Sequence, residues 1–224
     1  MAALPDQVVR YRETYRDNEI PRGYRGWLHF AFTFGVGSAA LVWSAWQVDA
    51  PTPLEWLTVP LTFLYANFSE YWGHRTAMHR PLPGLGLIYK RHAGQHHRFF
   101  THEAMPLDSS RDFRAVLFPP SLAFFFFAAF ALPVWWLLSL LASDNVGWLF
   151  VATALFYFLN YEILHLAWHV PADSRLLRIP GFSQLQSLHR THHDPALMTR
   201  YNFNITYPIC DLLFGTLYRE RREP

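Results

Sequence analysis

The stretch Val146–Trp168 reads VGWLFVATALFYFLNYEILHLAW, and His169 follows at once. At roughly 1.5 Å per helical residue it is long enough to cross a hydrocarbon core of about 30 Å. Its last turn carries His165, four residues before His169. Side chains at that spacing share one face of a helix. The stretch therefore predicts a membrane-spanning helix that presents two imidazoles at one end.

Three more apolar stretches precede it: Trp27 to Gln47, Pro53 to Trp72, and Ala115 to Ala142. Pro119, Pro120 and Pro133 interrupt the last of these, so its spanning part is expected to begin near Ser121. Apolar residues make up 51% of the 224-residue chain and aromatic residues 18%, more large apolar surface than a soluble core of this size needs. The net charge of +2 and the lack of a basic aromatic groove argue against nucleic-acid binding. A single cysteine, Cys210, excludes an internal disulfide and any Cys-based metal site. The charged start of the chain has no apolar core of a cleavable signal peptide.

Topology follows from the basic residues. The links Val48–Thr52 and Ser143–Asn145 contain no Lys or Arg, and all 19 basic residues lie in 1–26, 73–114 and 170–224. The positive-inside rule then places both termini and the middle segment in the cytoplasm. The expected fold is all-α: an integral, multi-pass membrane protein with four spans (27–47, 53–72, 115–142, 146–168) in two hairpins. Residues 1–26 form a cytoplasmic N-terminal segment, and 27–224 a single membrane domain with a histidine-rich helical cap. Residues 84–100 and 173–195 are read as mostly helical. Residues 196–224 are read as irregular, with a short helix near Pro208–Tyr218.

Ten of the twelve histidines fall into four clusters on the predicted cytoplasmic side: His74 and His79; His92, His96 and His97; His165 and His169; His189, His192 and His193. Helical spacing lets His92 and His96 aim at one point, as do His165 and His169, and His189 with His192 or His193. His74 and His79, five apart, are about 140° around an ideal helix. They suit two different metals or a local bend. Imidazole ligates iron, zinc, copper and nickel, and a metal holds crowded imidazoles neutral. A structural zinc needs only four ligands, so ten donors suit two metals. A transporter would place ligands near the bilayer midplane rather than at its edge. Glu162-Ile-Leu-His165 is the one Glu-x-x-His match, so a carboxylate-rich di-iron site is not expected. His102-Glu103 lacks the second His of a zinc-protease motif.

The residues around the clusters resemble the fatty acid hydroxylase and sterol desaturase superfamily, over about Glu70 to Tyr218. Glu70-Tyr-Trp-Gly-His74-Arg75 with His79-Arg-Pro81 is similar to the family's first box. Arg114 to Pro120 resembles its Arg-to-Pro-Pro lead into the third span, and Tyr161-Glu-x-x-His165 its Tyr-acidic-x-x-His. His189-x-x-His-His193, Tyr201-Asn-Phe203, Thr206 and Asp211-x-x-Phe214-Gly-Thr216 look like the end of fatty acid 2-hydroxylases. One spacing departs: three residues separate His92 from His96, where many relatives have two. That opens whether His92 is a ligand, and whether another register brings in His102.

The resemblance implies a cytoplasmic centre of two iron ions held by the ten histidines, with O2 as co-substrate and zinc as the ion expected to substitute on purification. The implied reaction is O2-dependent monooxygenase hydroxylation of a lipid C–H bond on an acyl chain. A desaturase with the same centre and a non-catalytic metal-binding membrane protein are the alternatives. The lipid is expected from the bilayer between helices, near Leu64, Phe68 and Tyr157, whose plainer role is helix packing. Glu162, Asp194 and Asp211 are candidates to orient ligand imidazoles. Their plainer roles are capping or a solvated charge. His29 is read as interfacial. Twenty-six leading residues are too few for a haem electron-transfer domain, so electrons are expected from a separate ferredoxin or small cytochrome with its reductase.

Overall fold

The computed structural model describes residues 4–219, and among them the chain is helical with no strand. The helices are α1 (Asp6–Asn18), α2 (Gly26–Trp46), α3 (Pro53–Trp56), α4 (Thr58–Gly73), α5 (Gly86–Tyr89), α6 (His97–Phe99), α7 (Phe113–Val116), α8 (Pro120–Phe126), α9 (Leu132–Leu141), α10 (Asp144–Trp168), α11 (Phe182–His192) and α12 (Ile209–Leu213). Short π-helical segments cover His74–Met78, Lys90–His96 and Phe127–Ala131. The chain divides into two compact units. Residues 27–66 and 117–163 form one; residues 4–26, 67–116 and 164–219 form the other.

The first unit is built from apolar helices. Among the described residues, three segments are long and apolar enough to cross a membrane: Gly26–Trp46, Ser110–Leu141 and Asp144–Trp168. Large apolar side chains such as Trp46, Phe124, Leu140 and Leu141 stay exposed, as hydrocarbon contact would permit. Gly37 allows close packing of α2 on α10, since a Cβ there would lie 2.6 Å from Leu159 Cδ2. The expected second span is broken: Leu57 separates α3 from the 16-residue α4. Thr52 caps α3 through a reciprocal box with Glu55, with Pro53 at the first turn. That capping sets where α3 begins. The third stretch is also segmented. α8 starts at Pro120, beside the expected Ser121, and Pro133 follows directly on the π-helical turn Phe127–Ala131.

The two short links meet. Asn145 Nδ2 donates to Asp49 O (2.8 Å), Asp49 N donates to Asn145 Oδ1 (2.9 Å), and Ser143 Oγ donates to Glu55 (2.5 Å). The links expected to share one side are thus bonded together.

In the second unit, α1 lies against the segment that carries the middle histidines. Tyr15, Ile20, Phe99, Phe100, Ala115 and Val116 form one buried cluster, with Leu166 packed against it. The helical regions expected at 84–100 and 173–195 are present in segmented form, and the C-terminal helix is confined to α12.

Candidate metal centre

All ten clustered histidines lie in the second unit, and all ten are buried. Their ring nitrogens sort into two groups. His74, His79, His92, His97 and His192 offer ligand atoms within 4.8 Å of one another, and so do His96, His165, His169 and His189. His193 sits at the edge of the second group, its Nε2 3.2 Å from that of His96 and 3.1 Å from that of His189.

Two local geometries make this sorting. The first is the π-helix. His74 and His79 frame one such segment, and its i→i+5 pattern brings residues five apart to the same side. They share a group rather than serving two metals. The segment Lys90–His96 does the same for His92 and His97, whose Nε2 atoms are 3.0 Å apart. His92 and His96, expected to aim at one point, belong to different groups. The extra residue in this cluster is absorbed by the wide turn, and His92 keeps its place at 2.8 Å from His74 Nε2. The second geometry is the tandem His-His pair. Neighbours on a helix point about 100° apart by its 3.6-residue turn. His96 and His97 therefore go to different groups, as do His192 and His193. The open choice at α11 resolves as His189 beside His193.

The other ring nitrogen fixes the chemistry. Nδ1 of His74, His96, His169, His192 and His193 donates to the carbonyl oxygens of Phe203 (2.5 Å), Ala115 (2.9 Å), Met105 (3.0 Å), Tyr201 (3.0 Å) and Phe100 (2.6 Å). A carbonyl oxygen has no proton to give, so Nδ1 carries the hydrogen and Nε2 is the bare lone pair of a neutral ring. Burial, reinforced by the neighbouring histidines, pushes His74, His92, His97, His169, His189 and His193 well below their ordinary value. Burial likewise takes His79 and His96 to about 3 and His192 to about 4. The result is a buried set of neutral imidazoles whose locked lone pairs face one another. Lone pairs opposed at about 3 Å repel, and a shared cation removes the repulsion. The donor set thus fits a histidine-ligated metal site.

Two loops supply four of these five carbonyls, and α7 supplies that of Ala115. In the first, Asp211 accepts from Phe203 N (3.0 Å), Asn204 N (2.7 Å) and Thr216 Oγ1 (2.6 Å). It holds the peptide whose carbonyl takes His74. Glu70 accepts from Ile205 N, Thr206 N (2.9 Å) and Thr206 Oγ1 (2.6 Å). Asn67 Nδ2 donates to Tyr207 O (2.8 Å), and Trp168 Nε1 donates to Ile205 O (2.7 Å). The sequence pointed to Glu70 only as the start of the first box and not to Asn67, and it assigned neither a bracing role. The available signal was a polar series, Asn67, Glu70 and His74, at helical spacing on an otherwise apolar helix. The second loop, Phe99–Leu107, holds His193 and His169.

The remaining candidates are placed as follows. Glu162 is fully buried and accepts from Phe118 N (3.0 Å). Asp194 accepts from Ala196 N (2.8 Å), a turn at the end of α11. His29 Nε2 bonds Phe118 O (3.0 Å). His102 is in neither group, and its carbonyl accepts from Arg190 Nε (2.8 Å). Leu64 and Phe68 are exposed, and Tyr157 packs on Phe63. Instead, a cavity of about 680 Å³ in the apolar unit is lined by α2, α8–α9 and α10, including Phe32, Thr33, Phe124, Leu132 and Phe158.

No curated protein and no solved structure is similar enough to this chain to count as a match. A family model described as fatty acid hydroxylase matches residues 59–216, which span both histidine groups and the loop that braces His74. Three apolar segments, a buried all-histidine donor set and this match agree, and the chain belongs to the fatty acid hydroxylase family.

Proposed function

We propose that this protein is a four-span membrane oxygenase that hydroxylates a C–H bond of a lipid, with two iron ions in its two histidine groups. The carrying observation is the pair of groups: ten buried imidazoles whose Nε2 atoms converge on two centres. One group would use His74, His79, His92, His97 and His192. The other would use His96, His165, His169, His189 and His193. The fourth span is α4 with α3, and both termini face the cytoplasm, in keeping with the placement of the basic residues.

Iron bound there would activate O2 and supply the oxidising power for attack on an unactivated C–H bond. The chain does the rest. Backbone carbonyls hold five Nδ1 protons in place, so the Nε2 lone pairs stay available. Burial keeps water away and the rings neutral. The apolar cavity of about 680 Å³ falls in the size range of ligand sites and suits a lipid chain, with the Thr33 hydroxyl as a polar group in its wall. Electrons come from a separate carrier, a ferredoxin or small cytochrome with its reductase.

Comparative lipidomics of cells with and without the protein tests the reading. A lipid that gains one oxygen supports hydroxylation. Loss of two hydrogens instead would make the protein a desaturase. An unchanged lipidome, with purified protein that holds zinc and stays inactive with iron and reductant, would leave a non-catalytic metal-binding protein.

A further inference from the structure

Arg12 lies in α1, outside the residues matched by the family model. It is nevertheless 2% exposed, in a helix that is otherwise largely polar. A buried guanidinium is costly unless its donors are satisfied, and Arg12 satisfies them on one loop. Its Nε donates to Phe99 O (2.8 Å), Nη2 to Ala104 O (2.5 Å), and Nη1 to Pro106 O (3.1 Å) and Asp108 Oδ2 (3.2 Å). The guanidinium also lies over the Phe99 and Phe100 rings, 4.9 and 5.4 Å from their centroids.

Those acceptors bracket two others. Phe100 O, next to Phe99 O, takes the Nδ1 proton of His193. Met105 O, between Ala104 O and Pro106 O, takes the Nδ1 proton of His169. Leu107 N donates to His169 O (2.9 Å), which ties the same loop to the end of α10. We infer that Arg12 is a positioning residue for one of the two metal sites: it clamps the Phe99–Leu107 loop so that the Phe100 and Met105 carbonyls orient His193 and His169. The clamp is selective. The other group takes its carbonyl partners, Phe203 and Tyr201, from a loop that Asp211 and Glu70 brace. The N-terminal helix is thus part of one half of the centre.

Lysine cannot replace this clamp. It offers a compact ammonium in place of a planar fork of five N–H donors. Arg16, one turn further along α1, is the natural control. It pairs with Asp112 (2.8 and 2.9 Å) and Asp108 and anchors the same helix, with no bond to the Phe100–Met105 backbone.

The inference rests on the reading of the two histidine groups as metal sites, and the experiment separates the two. Full-length protein in nanodiscs is loaded with Co(II), and bound cobalt per chain and its ligand-field absorption are measured. Two ions per wild-type chain are expected, and none would overturn the metal reading itself. Arg12→Ala and Arg12→Lys should weaken one cobalt by about 10–100-fold, as loss of a bond behind a ligand does, and Arg16→Ala should keep both. In a His74→Ala background, which disables the other group, Arg12→Lys should weaken the remaining cobalt by the same factor of about 10–100. In a His165→Ala background it should leave it unchanged. Wild-type affinity at both sites in Arg12→Lys, or equal weakening in the two backgrounds, overturns the inference while the metal reading stands. If Arg12→Ala aggregates, the Lys variant in the two backgrounds decides alone.

Discussion

His96 and His193 face each other through Nε2 atoms 3.2 Å apart, while each gives its Nδ1 proton to a backbone carbonyl, that of Ala115 and that of Phe100. Neither ring has a proton left for the other. The pair is repulsive without a cation between or beside the two nitrogens. Removing metal with a chelator is therefore expected to lower the thermal midpoint, and adding Fe(II), Co(II) or Zn(II) to restore it, since a ligand that binds only the folded state stabilises it. A midpoint insensitive to chelation would count against the metal reading.

His165→Ala and His193→Ala each remove a donor from the second group. Each should abolish lipid oxidation while leaving the metal of the first group bound. Full turnover in either variant would reject the assignment of that group.

Glu70→Gln replaces a carboxylate that accepts from Ile205 N, Thr206 N and the Thr206 hydroxyl. The amide turns one acceptor into a donor aimed at other donors. A loss of about 1–3 kcal/mol in unfolding free energy is expected. Metal should weaken at the group that contains His74 and His192, because their carbonyl partners lie on the loop Glu70 braces. Chemical denaturation and cobalt titration check the two parts separately.

Deleting Ala93 removes the extra residue of the π-helical segment Lys90–His96. His92 and His97 then stand four apart, which an α-helical turn brings to one side as the π-turn does for five. The deletion is expected to keep both metals bound. Inserting one more residue at the same place should cost the first group its metal.

Acidification should unfold the metal-free protein. Burial holds His79 and His96 at about 3 and His192 at about 4, against an unfolded value of about 6.5. Between these values the unfolded chain takes up protons that the folded chain refuses. The stabilisation is complete above about pH 6.5 and is lost as pH falls towards 4 and below. Proton competition for the ligands drives metal release in the same direction. Thermal midpoints of chelated protein across this range read the effect, and a flat profile would contradict neutral buried rings.

Much of the site was legible because short-range spacing carries it. The four histidine clusters, the long α10 with His165 at its end, and the short links at Val48–Thr52 and Ser143–Asn145 are all local patterns. Asn67 and Glu70 were not, because each acts on a loop more than 130 positions away (Asn204 to Tyr207). Arg12 was invisible for the same reason: its partners lie 87 to 96 positions on.

The sequence by itself determined an all-helical chain with apolar segments long enough to span a bilayer, and it supplied ten histidines at helical spacings. Composition and periodicity act on each segment alone, so no partner need be known. The tertiary structure decided how those histidines divide. Two π-turns bring histidines five apart into one group, and two tandem His-His pairs send neighbours to different groups. Carbonyls from distant segments then fix which nitrogen stays bare in His74, His96, His169, His192 and His193. That choice depends on hydrogen bonds between segments far apart in the chain, which spacing within one segment does not encode.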